Sequence, residues 1–104
     1  MDDIKFTPFK TMGNRYYIIH NSEVKGIIEF KDKDDCFRIE YIKIYNEYRR
    51  MGIGTKVVNF IKEKNHNKCI CGDSLPEAIG FWTSIGVEFE EEISNDTTTP
   101  FHIK

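Results

Sequence analysis

The stretch Arg49-Arg50-Met51-Gly52-Ile53-Gly54-Thr55 sets two fixed positive charges against two glycines one residue apart. Glycine lets a backbone turn sharply and lets another molecule come close to it. From there on, Ile53, Val57, Phe60 and Ile61 recur on one helical face, with Lys56, Asn59, Lys62 and Glu63 on the other. The spacing predicts a helix from about Gly52 to Lys64. The N–H groups of a first helical turn have no partner inside the helix, carry partial positive charge and aim at a common point. With Arg49 and Arg50 beside them, they form a seat for a pyrophosphate or another anion.

The elements around this turn must aim it. Before it, Ile39, Ile42 and Ile44 alternate among β-favouring residues, so a strand from Cys36 to Tyr45 runs into the glycine turn. Upstream, Tyr16 to His20 and Val24 to Phe30 read as two strands joined by Asn21-Ser22-Glu23, an antiparallel hairpin. Lys31 to Asp35 is a solvated charged turn. Ile4, Phe6 and Phe9 suggest a short first strand interrupted by Pro8, and Met12-Gly13-Asn14 a turn. After the helix and the polar break Asn65 to Lys68, Cys69-Ile70-Cys71 is a short strand. A strand–helix–strand unit places it parallel to, and beside, Ile39 to Ile44. Ser74-Leu75-Pro76-Glu77 reads as a capping box opening a second helix, with Ala78, Phe81, Trp82 and Ile85 on its buried face and Gly86 as its stop. Val87 and Phe89, extended to Glu91 and Ile93, and then Phe101 to Ile103, are the last strands.

At 104 residues the chain fits a single domain, 1–104. No apolar run approaches membrane-spanning length, so no membrane partner is expected. Met1-Asp2-Asp3-Ile4-Lys5 lacks the basic-then-apolar order of a secretory signal. A formal net charge of −2 argues against a broad nucleic-acid footprint, and Lys25-Gly26-x-x-x-Phe30 lacks the aromatic partners of an RNA-binding strand. Cys36, Cys69 and Cys71 are an odd count without framework spacing, which points to reduced thiols and a cytoplasmic setting. His66, Cys69 and Cys71 are metal-type ligands, but a fourth is not evident; buried structural thiols are the reading taken, and no metal is expected. His20 and His102 read as strand or surface residues.

Arg49-x-x-Gly52-x-Gly54, five residues after Ile44, resembles the (Gln/Arg)-x-x-Gly-x-(Gly/Ala) signature of the GNAT superfamily of N-acetyltransferases. One helix and one strand later, Ala78-Ile79-x-Phe81-Trp82-x-x-Ile85-Gly86-Val87 resembles that family's Ala-x-x-aromatic-Tyr-x-x-x-Gly-Phe segment. The resemblance covers about residues 16 to 93 and leaves no room for the helices that the family carries between its first two strands. It implies an α+β fold: a mixed, mostly antiparallel sheet with a central parallel strand pair splayed apart, and helices packed on it. It implies acetyl-CoA as co-substrate, with Arg49, Arg50, Met51, Gly52, Ile53, Gly54 and Thr55 around the pyrophosphate. Ile42, Lys43 and Ile44 would hold the pantetheine, and Trp82 would also lie against the cofactor.

The acceptor implied is a primary amine of a small molecule or peptide, attacking the thioester directly. Such an amine must first lose a proton. Glu40, placed by alternation on the side of Ile42 and Ile44, is the candidate base. Backbone N–H groups near Ile42 would face the oxyanion. Where the family commonly has a tyrosine as acid, this chain has Trp82, whose indole cannot give up its proton; Tyr48, Ser74 and Cys71 are substitutes. Two other readings stay open: a non-catalytic CoA-binding module, and an interaction module of the same fold. A monomer or a homodimer is compatible with all three.

Overall fold

The computed structural model describes residues 4–11 and 13–103. The opening Met1-Asp2-Asp3, Met12 of the expected turn and Lys104 lie outside the described residues. The strands are β1 (Ile4–Pro8), β2 (Arg15–His20), β3 (Glu23–Asp32), β4 (Cys36–Ile44), β5 (Cys69–Ser74), β6 (Glu88–Phe89) and β7 (Thr99–Ile103). The helices are α1 (Ile53–Lys64) and α2 (Ile79–Ile85). The strands form one sheet in the order β1-β2-β3-β4-β5-β7-β6. Among the described strands only β4 and β5 run parallel, joined by the crossover through α1. The α+β sheet expected from the chain is therefore present.

Local chemistry explains most of these boundaries. Asn21 and Ser22 both take positive φ, 52° and 66°, which gives the two-residue turn a twist matching that of β2 and β3. Gly86 takes the left-handed conformation after α2. Its N–H donates to the Thr83 carbonyl, and the Val87 N–H donates to that of Trp82, closing the helix. The start of α2 differs from expectation. Ser74 is fully buried as the last residue of β5, paired to Thr99, and its hydroxyl donates to the Leu75 carbonyl at 2.9 Å. The sheet holds it extended, so it caps nothing. Leu75 is extended as well, a single 3-10 turn covers Pro76–Ala78, and α2 begins only at Ile79. The strand expected to reach Ile93 ends at Phe89.

Both helices lie on one face of the sheet. Ile18, Ile28, Ile39 and Phe101 point up from that face and are sealed from water together with Val57, Val58 and Ile61 of α1. Trp82 of α2 covers Phe101, with ring centroids 4.3 Å apart, and Phe60 of α1 meets Phe6 of β1 edge-on at 5.4 Å. The opposite face carries charged pairs instead. Arg15 holds Glu29, Lys31 stands 3.7 Å from Glu40, Arg38 holds Asp73, and His102 lies between Glu88 and Glu90. We call this the open face.

Two irregularities shape the middle of the sheet. Ile18 pairs with Gly26 but Ile19 pairs with Val24, so Lys25 is an extra residue in β3. Glu29 pairs with Tyr41 but Phe30 pairs with Ile39, so Glu40 is an extra residue in β4. Each is a β-bulge, a device that re-aims side chains and ends regular pairing. The parallel ladder runs only from Cys36↔Cys69 to Ile39↔Gly72. Beyond it β4 stays with β3 and β5 stays with β7. The two central strands part at Glu40, and the expected splay is there.

Candidate functional site

The parted strands open into a cleft of about 650 Å³. One wall is the second half of β4, with Tyr41, Ile42, Lys43 and Ile44. The floor is the turn and first residues of α1, with Arg49, Arg50, Gly52, Ile53, Gly54 and Thr55. Leu75, Glu77, Ala78 and Phe81, at the start of the α2 segment, form the far wall. The glycine turn and the strand edge, named separately from the sequence, thus border one continuous space.

The turn is built in steps. Tyr45 donates its N–H to the Lys25 carbonyl, which ties the end of β4 to β3. A single 3-10 turn over Asn46–Tyr48 follows. Arg49 reaches back, and its Nε donates to the Ile44 carbonyl at 3.0 Å. Arg50 and Gly52 both adopt left-handed backbone, φ 66° and 75°. Gly52 then caps α1, and its carbonyl accepts the Lys56 N–H. No acidic side chain sits in the first turn of α1, so the positive end of the helix is not offset from within. Neither Arg49 nor Arg50 belongs to an ion pair among the described residues. The floor of the cleft therefore carries two cations outside any ion pair among the described residues, facing Glu77 on the far wall.

The two glycines have different tasks. A Cβ on Gly52 would meet nothing within 4 Å, so what this position requires is its left-handed φ. A Cβ on Gly54 would stand 2.7 Å from the ring of Phe81. Gly54 is small because α2 packs there, and Phe81 in turn lines the cleft.

Nine of the predicted cofactor residues border the cleft, from Ile42 to Ile44 and from Arg49 to Thr55, and Met51 stands exposed within that turn. Trp82 does not reach it. It is 3% exposed and packed between Phe81 and Phe101. Helical periodicity marked both aromatics alike, but Phe81 faces the cleft and Trp82 the sheet.

Glu40 also departs from expectation. Because of the bulge, Ile39 and Ile42 share the helix face with Phe30 and Ile28, their partners on β3. Glu40 is turned to the open face, beside Lys31 and in a shallow recess of about 270 Å³ with Thr11, Asn14, Arg15 and Glu29. It does not share a side with Ile42 and Ile44, yet it stands where the gap begins. Of the substitute acids, Ser74 is committed to the Leu75 carbonyl and Cys71 lies on the open face. Tyr48 borders the cleft.

Sequence reasoning missed Lys25. Its side chain is 9% exposed, with Nζ 3.1 Å from Glu23 and 4.0 Å above the Tyr48 ring. A cation over an aromatic face is attractive, the more so out of water. The bulge thus fixes Tyr48 and the turn that leads to Arg49. An isolated lysine in a strand carries no local sign of this.

The cysteines are not core thiols. Cys36 and Cys71 are half-buried, and Cys69 is exposed. Partial burial, then contact with Cys71, pushes the Cys36 thiol up from 9.0 to about 12.

No protein-family model matches the chain, and no curated protein matches it either. Solved structures do. An N-acetyltransferase from Staphylococcus aureus Mu50 superposes with a TM-score of 0.67 at 16% identity, over 88% of this chain and 70% of that one. The PaiA N-acetyltransferase of Thermoplasma acidophilum, in complex with coenzyme A, gives 0.66 at 16% identity, over 86% and 59%. Arabidopsis thaliana Naa50, in complex with the bisubstrate analogue CoA-Ac-MVNAL, gives 0.59 at 18% identity, over 86% and 72%. The chain has the fold of the GNAT N-acetyltransferases.

Proposed function

We propose that this protein is an acyl-CoA-dependent N-acyltransferase that moves acetyl from acetyl-CoA to a primary amine of a small molecule or peptide. The observation that carries this reading is the continuity of the cleft. The cationic glycine turn and the unpaired edge of β4 open into the same gap. The solved relatives in complex with coenzyme A and with a CoA bisubstrate analogue support it.

In this reading the amides of Ile53, Gly54 and Thr55 and the Arg49 and Arg50 guanidinium groups hold the pyrophosphate. The β4 edge at Ile42 and Ile44 bonds the pantetheine as an added strand would. Its N–H groups face the developing oxyanion, where preorganised donors act most strongly. The amine approaches from the open face. Glu40, at the threshold of the gap, takes its proton directly or through water, and Tyr48 is the donor to the departing thiolate.

Calorimetry with coenzyme A, and thiol release from acetyl-CoA with a panel of amines, test the reading. Coenzyme A at 100 times its Kd should add about 2.7 kcal/mol of stability. In a domain of this size that raises Tm by on the order of 10 °C. Glu40→Gln should leave coenzyme A binding unchanged and lower kcat by roughly 100-fold or more, the usual range for a lost general base. Unchanged kcat would remove Glu40 from the mechanism. The burial of Trp82 at the family's tyrosine position favours one other reading, a CoA-binding module without turnover. Binding with no thiol release on any amine would establish that instead.

A further inference from the structure

Three sulfurs meet on the open face. Cys36 opens β4 and Cys69 opens β5, and the two are direct partners in the parallel ladder. Cys71 lies two residues along β5, so its side chain points the same way as that of Cys69. All three sulfur atoms lie within 4.8 Å of one another, and those of Cys36 and Cys71 are 2.9 Å apart. Among the described residues the cation beside them is Arg38, whose guanidinium stands 3.8 Å from the Cys71 sulfur while also holding Asp73.

From this cluster we propose a binding site for a thiophilic d10 metal cation, with zinc(II) as the representative ion and Cys36, Cys69 and Cys71 as its three protein ligands. Zinc–thiolate bonds are about 2.3 Å, so tetrahedral geometry separates ligand sulfurs by about 3.8 Å. The trio already spans that distance, and its closest pair must open by about an ångström, within reach of side-chain rotation. The ladder fixes the backbone under all three, so little order is lost on binding.

Charge also fits. Three thiolates around a divalent ion carry one net negative charge, and Arg38 stands beside it. Binding replaces three S–H bonds by three S–metal bonds and releases the protons to solvent, with no electron transfer. Among the described residues three ligands come together, and Cys69 is exposed, so the fourth position faces water. Such an open site suits an exchanging or externally ligated ion more than a closed structural one. The site lies on the face opposite the helices and makes no use of the coenzyme A reading.

The test uses the full chain, reduced and kept without oxygen. Cadmium(II) is titrated in as an optical probe, because cadmium thiolates absorb in the ultraviolet. The expected result is a charge-transfer band that saturates at one equivalent, with proton release. Zinc(II) should bleach the band and shield the three thiols from a chromogenic thiol reagent. Cys36→Ser and Cys71→Ser should each weaken cadmium binding by more than about 100-fold, beyond the loss expected for an outer-shell partner. Far-ultraviolet circular dichroism confirms that each variant is folded. If a variant does not fold, alkylation of the exposed Cys69 in the native protein gives the same comparison. No band at one equivalent overturns the proposal. So does a band of undiminished strength after loss of Cys36 or alkylation of Cys69. A Cys36–Cys71 disulfide that resists reduction does so too, because it leaves one thiol.

Discussion

Gly52→Val should fold and should lose most of its affinity for coenzyme A. Gly52 holds φ at 75° and caps α1, and a Cβ placed there would meet nothing within 4 Å. The first added carbon therefore clashes with no neighbour. What changes is the backbone: the left-handed conformation costs an L-residue about 1–2 kcal/mol, and a β-branched one resists it further. The turn relaxes by moving, which swings the first amides of α1 away from their common point and displaces Arg50, itself left-handed at φ 66°. A small loss of Tm with more than about a tenfold rise in Kd, each 1.4 kcal/mol being tenfold, is the expected outcome in paired melting and calorimetry. Equal affinity in variant and parent would show that the turn does not grip the diphosphate.

Phe101→Ala should have the largest effect on stability. Phe101 is fully buried in β7, lies under Trp82, and its ring tip comes within 2.8 Å of where a Cβ on Gly72 would stand. It joins the second half of the sheet to α2, and a glycine beneath it cannot swell to fill a hole. Truncating a buried phenylalanine costs about 3–5 kcal/mol. Whole domains hold only about 5–15 kcal/mol. Tm should fall by roughly 15–30 °C, read by circular dichroism. A fall of a few degrees would mean that the two sheet halves do not depend on this contact.

What could be read from the chain was what depends on neighbours in sequence. The double-glycine turn, the amphipathic pattern of α1 and the stop at Gly86 are local signals, and each is found where it was expected. The parallel placement of β5 followed from the handed crossover. Errors arose where distant pairing overrode a local rule. Alternation assumes a period of two residues, and the bulge at Glu40 breaks it, which turned that carboxylate to the other face. Ser74 had the sequence of a cap, but Thr99, far along the chain, holds it in the sheet. Cys36 is separated from Cys71 by 35 positions, and only the β4–β5 ladder brings their sulfurs together.

The shortness of that ladder has a consequence for solvent exchange. Among the described residues, four pairs join β4 to β5 and so hold β1–β4 to β5–β7 within the sheet. In deuterated water the first half of β4 should label slowly along its whole length. From Glu40 to Ile44, amides directed at β3 should stay protonated for long periods while those directed into the gap label early, an alternating pattern in the middle of a sheet. An occupant lying along the gap should slow the early set and leave the late set unchanged.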